Sequence, residues 1–287
     1  MIAKPFEVCV PAAEFDLMVR TLMKVENSGL TVRVRRDRME AFTLSQDSSS
    51  VLVYACIDLL REIPEIEPDG EVELWVKTLD KFKRLLTPHL LARRQEERRI
   101  ETKCADGSAP EPNRYDEFRF TAKDNYIYHA SPLVRGAKFL LGEFPARADV
   151  MAKRVGPAWF ERFKVVARFP MTLASVGQVL KNGDFAAGVE KAYINLDGQD
   201  VVFEVDDKTR TSSDSISMKV SELEWGEIEP NRFIVPMKSL AMLTLDGGSP
   251  ASFMPACNGN GRGASIVLVE QKTGPLYIKY LVNGKKE

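Results

Sequence analysis

Two histidines, His89 and His129, and four cysteines, Cys9, Cys56, Cys104 and Cys257, are the side chains best suited to chemistry at neutral pH. A histidine can act as general base for a serine, cysteine or water nucleophile. Neither histidine has a Ser, Cys or carboxylate at a recognisable motif spacing. The cysteines stand far apart, with no CxxC pair and no zinc spacing. They read as reduced thiols of a cytoplasmic protein, three of them inside strand-like runs. A third candidate is "FTLSQDSSSVLVYACI", residues 42–57, which sets Asp47, Ser48, Ser49 and Ser50 between two strand-like runs. A phosphate loop would need glycines and a helix start directly after it. Asp and Ser bond their own backbone and suit a turn. "GNGRG", residues 259–263, has the glycines but precedes a strand, so a flexible hairpin turn is the better reading. The expectation is a protein without catalytic residues, metal site or cofactor.

The elements around these residues are more informative. The chain has 287 residues, room for two domains of ordinary size. Apolar residues make up 44% and charged residues 28%, a globular composition. No run approaches the length of a membrane span, and "MIAKPFEVCV" lacks the apolar core of a signal peptide. A net charge of −1 excludes a surface basic all over. It leaves room for one basic face, because distribution matters more than the sum.

One plan is used twice. "FEVCVPAAEFDLMVRTLMKV" and "FKVVARFPMTLASVGQVLK" each read as a strand and then a helix. Phe15, Met18, Val19 and Leu22 form the first apolar stripe, and Leu173, Val176, Gly177 and Leu180 stand 158 positions later. "LWVKTLDKFKRLL" and "RFIVPMKSLAMLT" repeat the relation. Trp75, Val76, Leu79, Phe82 and Leu85 match Phe233, Ile234, Met237, Leu240 and Leu243 at the same offset. The spacing is helical after strand-like residues. Thr78 is a candidate cap for one helix, and Pro236 suits the start of the other. A single offset over two strand–helix pairs indicates internal duplication. Each half is otherwise β-rich, with runs such as "LTVRVRR", "VLVYACI" and "EVELWV" in the first and "KAYINLD", "VVFEVD" and "SISMKV" in the second. The predicted fold class is α+β, two similar domains of two helices packed on antiparallel sheets. The domains span 1–142 and 163–287, joined by an extended linker at 143–162. Residues 88–116, with "ARRQEERR" and then "DGSAPEPN", read as an insertion between helix and strand, a charge run followed by a loop.

The helix faces opposite the stripes carry cations. Arg20 and Lys24 lie opposite the first stripe, and Lys81 and Arg84 opposite the second, with Lys83 near its edge. The second half is poorer: Lys238 sits opposite its stripe, Lys181 toward an edge, and Ala174, Ser175 and Gln178 face outward. Asp16 and Asp80 dilute the pattern, and an ordinary solvated helix face is the plain alternative.

Taken in order, these segments resemble the DNA sliding clamps, the family of proliferating cell nuclear antigen and the tailed-phage processivity clamps. "LSQDSSSVLV" is similar to the strand–turn–strand of cellular clamps, and "VKTLDKFKRLL" to the second helix of their first domain. "KTRTSSDSISMKVSELEWGEIEPNRFIVPMKSLAML" resembles phage clamps in its order of polar hairpin, acidic loop, strand and Met-rich helix. "TGPLYIKYLVNGK" resembles the final strand of cellular clamps. The order of the segments, over most of the chain, carries the likeness more than any one of them.

The resemblance implies the processivity fold, a ring-forming homotrimer with helices lining a hole and sheets outside. It implies a non-enzymatic processivity factor that encircles double-stranded DNA without reading sequence and tethers a DNA polymerase, loaded by a clamp loader, in the cytoplasm (the host's, if the protein is viral). Arg20, Lys24, Lys81, Lys83, Arg84, Lys181 and Lys238 would meet phosphates, more of them from the first domain. A partner pocket beside the linker would draw on Gln46, Ser50, Val51, Val150, Met151, Tyr280 and Val282. Gln46 departs from the apolar residue usual in cellular clamps, so the peptide motif need not be the familiar one. Subunits would join through Ala137, Lys138, Phe139, Leu140 and Leu141 on one edge and Ser215, Ile216, Ser217, Met218, Lys219 and Val220 on the other. Two alternatives stay open: a clamp-like scaffold for repair or checkpoint partners, and a duplicated α+β hydrolase using Asp47 and the serines after it.

Overall fold

The computed structural model describes residues 4–26, 29–45, 51–105, 109, 111–131, 133–143, 160–185, 189–206, 215–226, 232–258 and 266–284. By internal contact the chain divides into two compact units. One comprises Met1–Phe42, Ala55–Ala152 and Gly274–Leu276, the other Thr43–Tyr54, Lys153–Thr273 and Tyr277–Glu287.

The first unit begins with β1 (Phe6–Pro11), which runs directly into α1 (Ala12–Val25). Pro11 caps this helix without a side-chain bond, since it has none to offer; the Ala12 N–H donates instead to the Asp116 carbonyl at 2.7 Å. Next come β2 (Leu30–Arg35), β3 (Arg38–Leu44), β4 (Val51–Asp58, whose Val51–Tyr54 belong to the second unit), β5 (Glu71–Val76), α2 (Asp80–Ala105), β6 (Glu117–Lys123), β7 (Tyr126–Ser131) and β8 (Val134–Leu140). One sheet has the order β1-β6-β7-β8, and in the other β4-β3-β2-β5 are successive neighbours. The pairs β1–β6, β6–β7, β7–β8, β2–β3 and β2–β5 are antiparallel. Gly29, before β2, has φ +126°, and a side chain there would meet Trp75 at 2.9 Å, so only glycine fits.

The two helices bury their stripes between these sheets. Phe15, Met18, Val19 and Leu22 are at most 3% exposed. Phe82 stands edge-on to Phe15 at 5.5 Å, to Phe120 at 5.4 Å and to Phe139 at 5.0 Å. Such contacts add to the area they bury. The β2 residues between the inward ones carry charge that is paired across strands. Arg33 bonds Glu73 at 2.9 Å and Arg35 bonds Glu71 at 3.1 Å, while Arg38 of β3 bonds Glu40 at 2.8 Å.

Much of the expected insertion is helical and belongs to α2. The helix does not stop at Pro88; it continues to Ala105. Proline removes one backbone donor and usually breaks a helix interior. Here Leu85, Leu86 and His89 are buried on both sides of it, which anchors the helix across the fault. The charge run beyond it consists of good helix formers with ion pairs at helical spacing, Arg99–Glu96 at 2.7 Å and Arg93–Glu97 at 3.0 Å. Thr78 does cap the start, its hydroxyl accepting from the Asp80 N–H at 3.3 Å.

The second unit contains β9 (Phe163–Val165), β10 (Ala167–Met171), α3 (Leu173–Phe185), β11 (Lys191–Asp197), β12 (Asp200–Asp206), β13 (Ser215–Glu222) and β14 (Trp225–Gly226). It continues with β15 (Arg232–Pro236), α4 (Met237–Met242), β16 (Ala251–Asn258), β17 (Ile266–Thr273) and β18 (Leu276–Asn283). One sheet has the order β13-β12-β11-β15; in the other, β14-β10-β16-β17-β18 are neighbours and β9 also pairs with β16.

Two details of the repeat shift. In α3 Val176 and Val179 are buried, whereas Leu173 is 45% exposed. The inward line therefore matches Met18 and Thr21 of α1, not Phe15. In the strands Leu74 and Val76 face in, and so do Phe233 and Val235, an offset of 159 rather than 158. Helices tolerate a one-residue slip as a 100° turn, but in a strand it exchanges the faces.

Candidate nucleic-acid and partner interfaces

The seven cations expected to face phosphates are all exposed. Their electrostatic states differ. Arg20 is bound to Asp16 at 2.7 Å, one helical turn back. Lys24 is crowded enough for desolvation to hold its ammonium below the usual lysine range. Lys81 lies 5.6 Å from the centre of the Phe139 ring, a cation–π contact. Lys83 and Arg84 have no ion pair among the described residues. In the second unit Lys181 of α3 and Lys238 of α4 are exposed, and the other exposed residues described on α3 are uncharged: Leu173, Ala174 and Gln178. Uncompensated positive charge is thus densest on α2.

The expected partner pocket divides. Gln46, Ser50, Val150 and Met151 lie outside the described residues, as does the turn of Asp47, Ser48 and Ser49. The neck of that turn is described: the Val51 N–H donates to the Ser45 hydroxyl at 2.9 Å, and the Ser45 N–H donates to the Val51 carbonyl at 2.9 Å. Val51, Tyr280 and Val282 are 0%, 0% and 1% exposed. Their side chains offer nothing to a partner in this conformation. The Tyr280 hydroxyl instead donates to the Thr244 carbonyl at 2.9 Å and accepts from the Thr244 N–H at 3.0 Å, clasping the chain just after α4. Tyr280 and Val282 face the core side of β18. The half-exposed residues on that strand are Tyr277 and Lys279. Tyr277 stands 6.3 Å from Tyr54, Tyr54 stands 6.4 Å from Phe160, and the Lys279 ammonium lies 5.3 Å from the Phe160 ring while pairing with Glu270. Strand alternation would have found this group, had the parity been read from Leu276 and Ile278, which are buried.

The two segments expected to join subunits are both at sheet edges, β8 in one unit and β13 in the other. On β8, Phe139 is buried and Leu140 is 45% exposed; Leu141, just after it, is buried. Lys138 lies 3.7 Å from the Tyr126 ring centre. On β13 no residue is buried: Ser215, Ser217 and Lys219 are exposed, while Ile216, Met218 and Val220 are half-covered. Met218 receives an N–H from Asn182 of α3 at 3.8 Å, so this apolar row faces the helix and is incompletely roofed by it. Lys219 is paired with Asp200 at 2.7 Å and Glu222 at 3.3 Å.

The histidines serve the core. His89 and His129 are 5% and 3% exposed and flank the Phe118 ring, at 5.6 Å and 4.6 Å. His89 Nε2 donates to the Tyr115 carbonyl at 2.9 Å, and His129 Nδ1 lies 2.6 Å from the Arg119 carbonyl. Burial, reinforced by the charges of His129 and Arg93, holds the His89 imidazole below its usual pKa, against the pull of the Tyr115 carbonyl. A lowered folded-state pKa means that the unfolded chain binds the proton more readily. Stability is therefore complete above about pH 6.5 and falls as the pH drops toward the folded value. His89→Gln is expected to flatten that limb in urea midpoints measured across it; an unchanged limb would assign the acid sensitivity elsewhere. The Cys9 thiol is held above its usual pKa by burial and by Glu117, the opposite of an activated nucleophile. The four cysteines form no disulfide, and among the described residues there is no metal-binding group of His, Cys, Asp and Glu and no helix long and apolar enough to cross a membrane.

No protein-family description matches the chain, and no curated protein matches it. Solved structures do. The proliferating cellular nuclear antigen of Entamoeba histolytica is similar with a TM-score of 0.62 and 13% identity, over 98% of this chain and 98% of that one. The A. fulgidus PCNA, solved with the C-terminal region of FEN-1 bound, gives 0.60 and 12% over 98% and 99%. The PCNA2–PCNA3 complex of Sulfolobus tokodaii gives 0.59 and 11% over 99% and 100%. At these identities the likeness establishes the fold. It is the α+β fold of the sliding clamps, over 98% or more of the chain.

Proposed function

We propose that the protein is a subunit of a sliding clamp that encircles double-stranded DNA and tethers a DNA polymerase as a non-catalytic processivity factor. The observation that carries this reading is a clamp fold over 98% or more of the chain, since the three structures named above are PCNA chains themselves covered at 98% or more. Domains 1–142 and 163–287, joined at 143–162, would then repeat around a homotrimeric ring closed by β8 of one subunit against β13 of the next. Placement by a clamp loader belongs to the same proposal. So does action in the cytoplasm, the host's if the protein is viral. The helices supply phosphate contacts without base readout, which suits movement along any sequence. Partner proteins dock on the ring's outer surface; the A. fulgidus PCNA likewise binds a partner, the C-terminal region of FEN-1. On this chain Tyr277 and Lys279 of β18, which are half-exposed beside the buried Tyr54, offer mixed aromatic and charged surface for such a segment.

Retention on closed circular DNA, with release on linearisation, tests encirclement; equal loss from both forms would remove the clamp reading. Within the ring, DNA contact should be lopsided. Each phosphate contact contributes about 0.9 to the slope of log affinity against log salt. Lys83→Ala with Arg84→Ala is expected to lower the slope by about 1.8 per chain that touches the duplex. Lys181→Ala with Lys238→Ala should lower it less, and the reverse order would place the main contact on the second domain.

A further inference from the structure

The long helix α2 is buried only along its first half. Its last buried residue is Ala92, yet the helix runs to Ala105. The second half is held by the returning chain. The Asn113 side-chain amide donates to the Arg93 carbonyl at 2.9 Å, Arg93 pairs with Asp116 at 2.6 Å, and Glu111 accepts from Arg99 at 3.2 Å and from Lys103 at 3.4 Å. His89 anchors the same strap through Tyr115. The four arginines of "ARRQEERR" therefore fall into two pairs. Arg93 and Arg99 are bound by carboxylates. Arg94 and Arg98 are exposed, with no ion pair among the described residues.

At 100° per residue the buried Phe82, Leu85, Leu86, His89 and Ala92 centre on one side of α2. Lys83, Arg84, Arg94 and Arg98 fall within about 100° of arc on the opposite side. No carboxylate interrupts them between Lys83 and Arg98; Asp80 and Glu101 bound the row at its ends. The row is about 22 Å long, the rise of about six base pairs of duplex. The carboxylates that could neutralise it, Glu96, Glu97, Glu111 and Asp116, are all engaged by Arg93, Arg99 and Lys103.

We infer that the α2 extension is a phosphate-tracking arm, with Arg94 and Arg98 prolonging along the duplex the contact begun by Lys83 and Arg84, and with the 111–116 strap holding it straight. The occupant is the sugar–phosphate backbone of duplex DNA: the row has uniform positive charge, is continuous with the channel cations, and has no aromatic residue on which to stack single-stranded bases. The inference rests on the clamp reading. Three paired variants decide it, with an open-ended labelled duplex, onto which a ring threads, titrated over a series of salt concentrations. Arg94→Ala with Arg98→Ala is expected to lower the salt slope by about 1.8 per contacting chain. It should leave thermal unfolding in place, because alanine suits an exposed helix. Arg93→Ala with Arg99→Ala is expected to lower the melting temperature through loss of the strap and to keep the slope. Lys83→Ala with Arg84→Ala reports on the channel itself. If that pair lowers the slope and the Arg94 and Arg98 pair does not, the arm is overturned and the clamp stands. If neither pair changes the slope, the clamp channel fails with it. A slope loss from the Arg93 and Arg99 pair equal to that from Arg94 and Arg98 would overturn the division between strap and arm.

Discussion

Leu140→Asp is expected to break the proposed ring into monomers, and so is Ile216→Glu, while an equimolar mixture of the two variants forms a dimer. Leu140 is 45% exposed in the isolated chain, so a carboxylate there is solvated and costs little until a partner strand covers it. In the proposed ring a partner strand would cover the same carboxylate, and burying it unpaired costs several kcal/mol. Ile216 belongs to the half-roofed apolar row of β13, the other free edge. A head-to-tail ring needs both edges of every subunit. The first variant keeps its β13 edge and the second keeps its β8 edge, so one sound junction remains when they are mixed, and the chain of contacts stops there. Mass by light scattering reads the result directly. Two edges of one kind pairing with each other would leave one of the variants dimeric by itself, and that outcome would overturn the ring. A stable wild-type monomer at every concentration would do the same.

The elements were legible because each carries its own period. β12 and β13 alternate along "VVFEVD" and "SISMKV", and the stripe of α1 is four large apolar residues at helical spacing. What the sequence hid was phase. In "LYIKYLVN" the consecutive Tyr280, Leu281 and Val282 are all buried, which erases the alternation where the pocket was expected. In α3 the small Gly177 and Gly183 blur the stripe, and exposed Leu173 then looks like a core residue. Pro88 marked a boundary by its local cost, but burial of Leu85, Leu86 and His89 outweighs that cost. The sorting of Arg93 and Arg99 from Arg94 and Arg98 depends on where Glu111 and Asp116 return, and no local pattern encodes a strap that closes over that distance. The cation asymmetry between the halves, by contrast, is written in composition: α2 is rich in Lys and Arg, while the outward face of α3 shows Ala174 and Gln178.

The side of β18 that faces inward is open to a direct thermodynamic test. Tyr280→Ala is expected to destabilise the protein by about 3–5 kcal/mol, the range for emptying the space of a large buried aromatic. Tyr280→Phe keeps the ring and removes only the hydroxyl, which both donates to and accepts from the Thr244 backbone. Its expected cost is about 1–3 kcal/mol, the penalty for leaving such partners unsatisfied, at the lower end because Thr244 is half-exposed. Tyr280→Glu should fail to give a folded second domain, since its carboxylate would replace a ring that is 0% exposed. Three residues earlier, Tyr277→Glu should fold, because that ring is half-exposed beside Tyr54 and the ammonium of Lys279 is on the next residue but one. Urea midpoints for the four variants give the order Tyr277→Glu, Tyr280→Phe, Tyr280→Ala, Tyr280→Glu from most to least stable. A folded Tyr280→Glu with an unshifted midpoint would put that ring on the surface and restore it to the partner pocket. The expected order instead leaves Tyr280 holding the end of α4 in place, and makes Tyr277 the aromatic ring on which a partner's loss of binding can be read without loss of fold.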